Sequence, residues 1–350
     1  MKKFLLNTVV VAALIAATTA SRPAAADAVE DFYKNKTLTM LVGFPPGGLN
    51  DISARLVAKY IVKYIPGNPR QVVQNMPGAG GLTSTNYLYN IAPKDGTYVG
   101  GILRSIPQSA YTGDSNARFD PAKFEWLGST SSFRDDAYAM IIMADRQVKS
   151  WEDLKTPGKR VMLGAVGEDI KLAFSLFTKD IMKLNVDVTH GYVGAPQLFL
   201  AMQGGEIDGQ FNSVSSTKAG QAALWRDNKF RSLLQFGRTT RLPDIPDTPT
   251  AHEIVKDPDD LALLSFAESP LYMSLPFAVP PGTPADRLAA LRKAFDLVHK
   301  DSDFLAEAGK SELDVSPIDG SAVAKLVADL SKASPELIAK FKKISTFSRP

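Results

Sequence analysis

The sequence predicts an α/β fold of two doubly wound lobes, each a sheet flanked by helices. Three observations predict it. Short apolar runs rich in strand formers alternate along the chain with stripes of helical period. Strand, loop and helix follow one another three times near the start, the pattern of a parallel sheet with helices on its faces. The length of 350 residues with 45% hydrophobic content leaves room for two cores.

Thr37 to Gly43 reads as the first strand, broken by Phe44-Pro45-Pro46-Gly47-Gly48. Ile52, Leu56, Val57, Tyr60, Ile61 and Tyr64 then recur on one helical face, until Pro66-Gly67-Asn68-Pro69 stops it. Gln71 to Gln74 is a second strand, followed by Asn75-Met76-Pro77-Gly78-Ala79-Gly80-Gly81 and a helix to about Ile91. Tyr98 to Leu103 is the third strand. In the middle, Ala137 to Met143 and Arg160 to Gly164 read as strands, and Glu168 to Leu184 as a helix. Val186 to Val193 is the next strand, and Pro196 opens a helix that stops at Gly204-Gly205 before the strand Ile207 to Phe211. Tyr272 to Val279 is apolar and extended. Thr283-Pro284-Ala285-Asp286 caps a helix striped by Leu288, Leu291, Phe295 and Val298, and helical pattern continues to the end.

The first residues read as an export signal. Lys2 and Lys3 precede the uncharged, mostly apolar run Phe4 to Ala17, and small residues end at Ala24-Ala25-Ala26 before Asp27. A buried first helix would need an amphipathic face that this run lacks, and a membrane anchor needs ~20 residues. Cleavage is expected after Ala26, with Ala20 as second choice, leaving a soluble, extracytoplasmic monomer. The first 26 residues carry three bases and no acid, out of 40 Lys+Arg and 37 Asp+Glu in all. The body is therefore neutral, and no basic surplus remains for nucleic acid. With no cysteine and only His190, His252 and His299, a thiolate or histidine metal centre is not expected, and neither is any cofactor.

A nucleophile motif is also missing. There is no G-x-S-x-G, no phosphate-binding G-x-x-x-x-G-K-[ST], and Thr83 replaces the third glycine of a dinucleotide fingerprint. The adjacent acids Asp135-Asp136 and Asp259-Asp260 read as solvated loop or helix-start residues. The sequence thus predicts no enzyme. The loops Gly47-Gly48 and Gly78-Ala79-Gly80-Gly81 leave strand ends and open helices, where backbone N–H groups and the helix dipole favour an anion. Each alone reads as a tight turn needing positive φ. Together they favour an anion-binding cleft at the carboxyl ends of the strands. Arg104, just past the third strand, reads as a bidentate carboxylate contact, as a structural ion pair with a nearby acid, or as simply exposed at the crossover.

The segments FPPGGLNDISARLVA, QNMPGAGG, APKDGT, SWEDL, VMLGAVG, YVGAPQLFLAMQGGEIDGQF, RLPDIPDTPT and FAVPPGTPADRLAALRKAF resemble, in order and spacing, the Bug-type solute-binding proteins of tripartite tricarboxylate transporters. The resemblance covers essentially the whole chain after the export signal. It implies a type II, hinge-closing (Venus flytrap) periplasmic receptor that delivers a small carboxylate to membrane permease subunits. Lobe one would combine 27–125 with 241–350, and lobe two would span 126–240. Phe44, Pro46, Gly47, Gly48, Asn50 and Asp51 would form a first wall, and Asn75, Gly78, Ala79 and Gly80 a second. From the other lobe, the turn holding Ala165 and Val166, the segment Tyr192-Val193-Gly194, and Asn212-Ser213 would close over the ligand. Family members often carry serine or threonine in the first of these turns. The apolar Ala165-Val166 favours a mono- or dicarboxylate with an apolar or aromatic body. Asp51 reads equally as an acid complementing its own helix. Two other readings compete: a sensor handing its ligand state to a membrane kinase, and an exported enzyme with an unrecognised site.

Overall fold

The computed structural model describes residues 24–346 except 167–169, 193 and 312. The body of the expected export signal therefore lies outside the described residues, and Ala24-Ala25-Ala26 open helix α1 (Ala24–Tyr33). The first sheet begins with β1 (Thr37–Val42), α2 (Leu49–Ile61), β2 (Arg70–Asn75), α3 (Leu82–Asn90), β3 (Tyr98–Gly101), α4 (Ile106–Tyr111) and β4 (Glu125–Ser129). The second is built from β5 (Tyr138–Met143), β6 (Val161–Ala165), α5 (Ile170–Leu176), β7 (Val186–His190), α6 (Ala195–Gln203), β8 (Gly209–Ser213), α7 (Val214–Gly220), α8 (Ala222–Arg226) and β9 (Phe230–Phe236). The chain then returns through α9 (Ala251–Ile254), α10 (Pro258–Glu268), β10 (Pro276–Val279), α11 (Ala285–Val298), α12 (Ser302–Lys310), β11 (Ile318–Asp319), α13 (Gly320–Leu330) and α14 (Pro335–Ser345).

The first sheet has the order β11-β4-β10-β3-β1-β2, and the second β7-β6-β8-β5-β9. β1 runs parallel to both β2 and β3, as three successive strand–helix units require. β1 is covered on both faces, which its unbroken apolar run permits, whereas β2 lies at the edge and is largely exposed. Each sheet also takes in antiparallel strands: β10 between β3 and β4, and β5 between β8 and β9. In α2 the striped residues Leu56, Val57, Tyr60 and Ile61 are buried, and the stripe of α11 is buried likewise.

Several elements differ from expectation. The strand expected over Tyr272 to Val279 is shortened to β10, because Pro270 starts a tight 3-10 turn over Ser269–Met273. The strand after Val186 stops at His190, and the third strand stops at Gly101. The helix expected to reach Leu184 loosens into a π-turn over Phe177–Ile181 and ends where Lys183 adopts φ +56. Thr283 does not cap α11; its hydroxyl donates to the Pro280 carbonyl at 2.9 Å. β4 lies in the first sheet up to Ser129. α9, α10 and Ile344 of α14 pack into the core of the second, beside Phe174 and Phe177. Leu337 and Phe341 of α14, and Phe266 of α10, also touch the first lobe's core, so these two helices straddle the junction.

Candidate functional site

The carboxyl ends of β1, β2 and β3 lie on one edge of the first sheet, and the loops leaving them are the first lobe's part of the candidate site. Asp51, in the first turn of α2, is buried and turned inward. One of its oxygens accepts from the Gly47 backbone N–H at 2.9 Å and from Arg55 Nε at 2.8 Å. The other accepts from Asn75 Nδ2 at 2.8 Å. Asn75 also donates to the Phe44 carbonyl and accepts from Arg55 Nη2, each at 2.8 Å. Burial raises the Asp51 pKa, but the bonds from Arg55, Asn75 and Gly47 outweigh it and leave the carboxyl below its ordinary range. Asp51 and Asn75 are thus the frame that ties the two glycine loops together.

With the side chains turned away, the loops offer backbone. Phe44 is half-buried, while Pro46, Gly47, Gly48 and Gly80 are exposed, and a Cβ added at Gly47, Gly48 or Gly80 would meet nothing within 4 Å. Gly78, Ala79, Gly80 and Gly81 all have positive φ, and Ala79 at +47 is held there by its glycine neighbours and by the Gly81 and Thr83 N–H groups converging on the Gly78 carbonyl. Gly48 is the N-cap of α2, so the first N–H groups of that helix, Asn50 included, point toward the loop without carbonyl partners behind them.

Arg104 follows β3. Its Nη1 donates to Ser274 Oγ at 3.1 Å and Nη2 to Tyr138 Oη at 3.4 Å, with the guanidinium over the rings of Phe133 and Tyr138 at 5.9 and 5.8 Å. Among the described residues no carboxylate pairs with it, so the expected structural ion pair is not formed. Arg104 and Tyr138 border a cavity of about 480 Å³ between α4, α5, the end of α10 and α14.

The second lobe presents side chains. Ala165, at the end of β6, belongs to the core, and Val166 is half-buried and packs, as Tyr192 and Ala195 do, on the cluster that holds Leu198 and Phe199. Gly194 is the N-cap of α6. Tyr192 donates to Glu206 Oε1 at 2.6 Å; burial, then that carboxylate, pushes its hydroxyl pKa up to about 12. Gly167 and Val193 lie outside the described residues. Asn212 is buried and donates to Thr217 Oγ1 at 2.9 Å, while its Oδ1 accepts from Lys171 Nζ at 2.7 Å. That ammonium, itself buried, also donates to the Phe211 carbonyl at 2.7 Å and Gln210 Oε1 at 3.2 Å, and stands 5.8 Å from the Tyr138 ring. Asp136, expected to be solvated, is buried because it accepts from Ser213 and Ser215 hydroxyls at 2.5 and 2.6 Å at the start of α7. Asp259 and Asp260 do sit at a helix start, capped by Asp257. Sequence reasoning passed over Lys171 and Tyr138. A lysine one position off an apolar stripe was the available signal for the first.

Two sheets flanked by helices, with glycine loops at the strand ends of one and a buried polar network at those of the other, define a two-lobed binding protein. The chain belongs to the tripartite tricarboxylate transporter receptor family, whose model matches residues 54–342. It is 27% identical over 253 residues to the UPF0065 protein in the gbd 5′ region of Cupriavidus necator, covering 70% of this chain and 72% of that one. It is 23% identical over 288 residues to a UPF0065 protein of Bordetella pertussis, covering 79% and 81%. A solute-binding protein of the family from Polaromonas shares the fold at a TM-score of 0.67 and 19% identity, covering 89% of this chain and 98% of that one. MatC from Rhodopseudomonas palustris, solved with bound malate, shares it at 0.56 and 18%, covering 89% and 99%. A further protein of that organism, solved with adipate, shares it at 0.59 and 16%, covering 89% and 97%. The family consists of solute-binding receptors and not enzymes, and its Bug members are periplasmic binding proteins.

Proposed function

We propose that this chain is an extracytoplasmic receptor that captures a small carboxylate between its lobes and delivers it to the permease subunits of a tripartite tricarboxylate-type transporter. The exported form starts at Asp27, resides in the periplasm and is a soluble monomer. Lobe one comprises about 27–129 with β10, α11, α12, β11 and α13, and lobe two the strands β5 to β9 with α9 and α10. The single observation that carries this reading is the frame of Asp51 and Asn75, which holds two glycine loops with their open backbone facing outward. Donors without acidic side chains suit an anion and not an amine. Relatives solved with malate and adipate agree with that chemistry. Phe44, Pro46, Gly47, Gly48, Asn50, Gly78, Ala79 and Gly80 take the carboxylate side. Arg104 supplies a direct charge, and Val166 and Gly194 close from the other lobe.

A ligand that binds only the folded chain stabilises it by RT ln(1 + [L]/Kd), about 2.7 kcal/mol at a hundredfold excess over Kd. A thermal-shift panel of carboxylates, amines and neutral sugars on the purified protein tests the reading: carboxylates alone should raise the melting temperature. A sugar that shifts it while every carboxylate fails would remove the anion cleft.

A further inference from the structure

We propose that the cavity beside Arg104 is a ring-sized chamber of the ligand site, which makes the solute an aromatic or alicyclic monocarboxylate whose carboxylate pairs with the Arg104 guanidinium. This rests on the carboxylate-receptor reading and names the ligand class within it. The volume of about 480 Å³ falls inside the range of roughly 300–1,000 Å³ usual for small-molecule sites. Ile106 stands between it and the glycine loops. A Cβ at Gly81 would stand 3.5 Å from the Phe44 ring and 3.6 Å from Cδ1 of Ile106, the first residue of α4, whose N-terminal end walls the chamber.

Among the described residues that line it, the chamber holds one cation and no acid. Of the five N–H donors of a guanidinium, Arg104 engages two, on Ser274 and Tyr138, so the rest of its fork is open to two parallel bonds from a carboxylate. The rings of Phe133 and Tyr138 hold its plane. Apart from the Ser105 hydroxyl, the other polar groups of the lining face their own helices or neighbours. Ser109 and Thr112 donate back to carbonyls of α4, both at 3.1 Å, and Ser345 and Thr346 to the Lys342 carbonyl. The Gln108 amide donates to the Phe266 carbonyl at 2.6 Å. What remains for the body of a ligand is apolar: Leu103, Ile170, Ala173, Pro270 and Phe341, the last locked edge-on against Phe266 at 5.1 Å. Among the described residues a second carboxylate inside would meet no second cation and only the hydroxyls of Ser105 and Tyr138, and desolvating it would reject short dicarboxylates.

Calorimetric titration of the full exported chain with benzoate, cyclohexanecarboxylate, succinate and adipate tests this. The ring monocarboxylates should bind at least tenfold more tightly than either dicarboxylate. Arg104→Met keeps an unbranched side chain in place and removes the charge, and should weaken them by roughly 10- to 150-fold. Ala173→Phe fills the chamber and should abolish ring-acid binding. If that variant fails to fold, Ser109→Phe narrows the same space from α4. Tighter binding of the dicarboxylates, or unchanged affinity in Arg104→Met, overturns the chamber and leaves the carboxylate receptor standing. If no carboxylate binds the unaltered protein, the receptor reading itself falls and the chamber with it.

Discussion

The two sides of the cleft occupy the same topological position, the carboxyl ends of parallel strands, yet they are built from opposite materials. On the first lobe, Asp51 and Asn75 point inward and the surface is backbone around Gly47, Gly48 and Gly80. On the second, the strand ends are filled by side chains: Lys171 inserted among Gln210, Phe211 and Asn212, and Asp136 gripping Ser213 and Ser215. A backbone wall is indifferent to which residue stands where, provided the residue is small. A side-chain wall depends on every member. The comparison sets a wall of open backbone against a wall of bonded side chains.

Protonation should separate the lobes most. His299 is buried between the Phe295 carbonyl at 2.8 Å and Thr130 Oγ1 at 3.0 Å, and burial pushes its pKa down to about 4. Between its ordinary value of about 6.5 and 4, the unfolded chain takes up a proton that the folded chain refuses, so stability falls as pH falls across that window. The loss reaches about 3 kcal/mol. His252 behaves oppositely. Its bond to the buried Glu268 at 2.7 Å raises its pKa, so that contribution is complete below about 6.5 and fades as pH rises through the raised value. Hydrogen exchange at pH 4.5 should show the first sheet opening before the second. His299→Gln should flatten the acid limb, and equal opening of both sheets would break the contrast.

Lys171→Met comes next. It deprives three buried acceptors of their donor and should cost about 1.5–3 kcal/mol in urea unfolding, with loss of protection concentrated in β8. Asp51→Ala should cost less, about 1–2 kcal/mol, because Arg55 is half-exposed and returns to water. Its larger effect is on the loops, which lose their frame, and ligand affinity should fall by an order of magnitude or more. The smallest effect is also the most specific. Gly48→Ala has an ordinary φ of −82 and empty space above it, so stability should change by less than about 0.5 kcal/mol while the added methyl weakens ligand binding several-fold. An unchanged affinity there would place the ligand elsewhere.

The glycine loops and the strands leading into them were legible because both signals are local. A run such as TLTMLV declares a buried strand, and glycine after it declares a turn needing positive φ. β4 and β9 were missed, since FRSLLQF carries charge into a strand and gains its partner β5 only through the tertiary fold. The inward turn of Asp51 was not decidable from sequence, because its partner Asn75 lies at the end of the next strand, 24 residues away. Lys171 was hidden for a similar reason. A cation in a helix is read as solvated unless acceptors from a distant strand are known to wait for it.

The insertion of β10 has a consequence for how the chain is made. Residues 276–279 are the hydrogen-bonded link between β3 and β4, and Ile344 completes the core under the second sheet. As the polypeptide emerges from its amino end, the earlier strands stay in two unjoined pieces until nearly four-fifths of the sequence has been synthesised. The other core waits for almost the last turn of helix. Such late closure by sequence-distant contacts is slow by nature. Under the export proposed above, the chain would be threaded through a membrane before it folds, and that slowness would be a safeguard written into strand order.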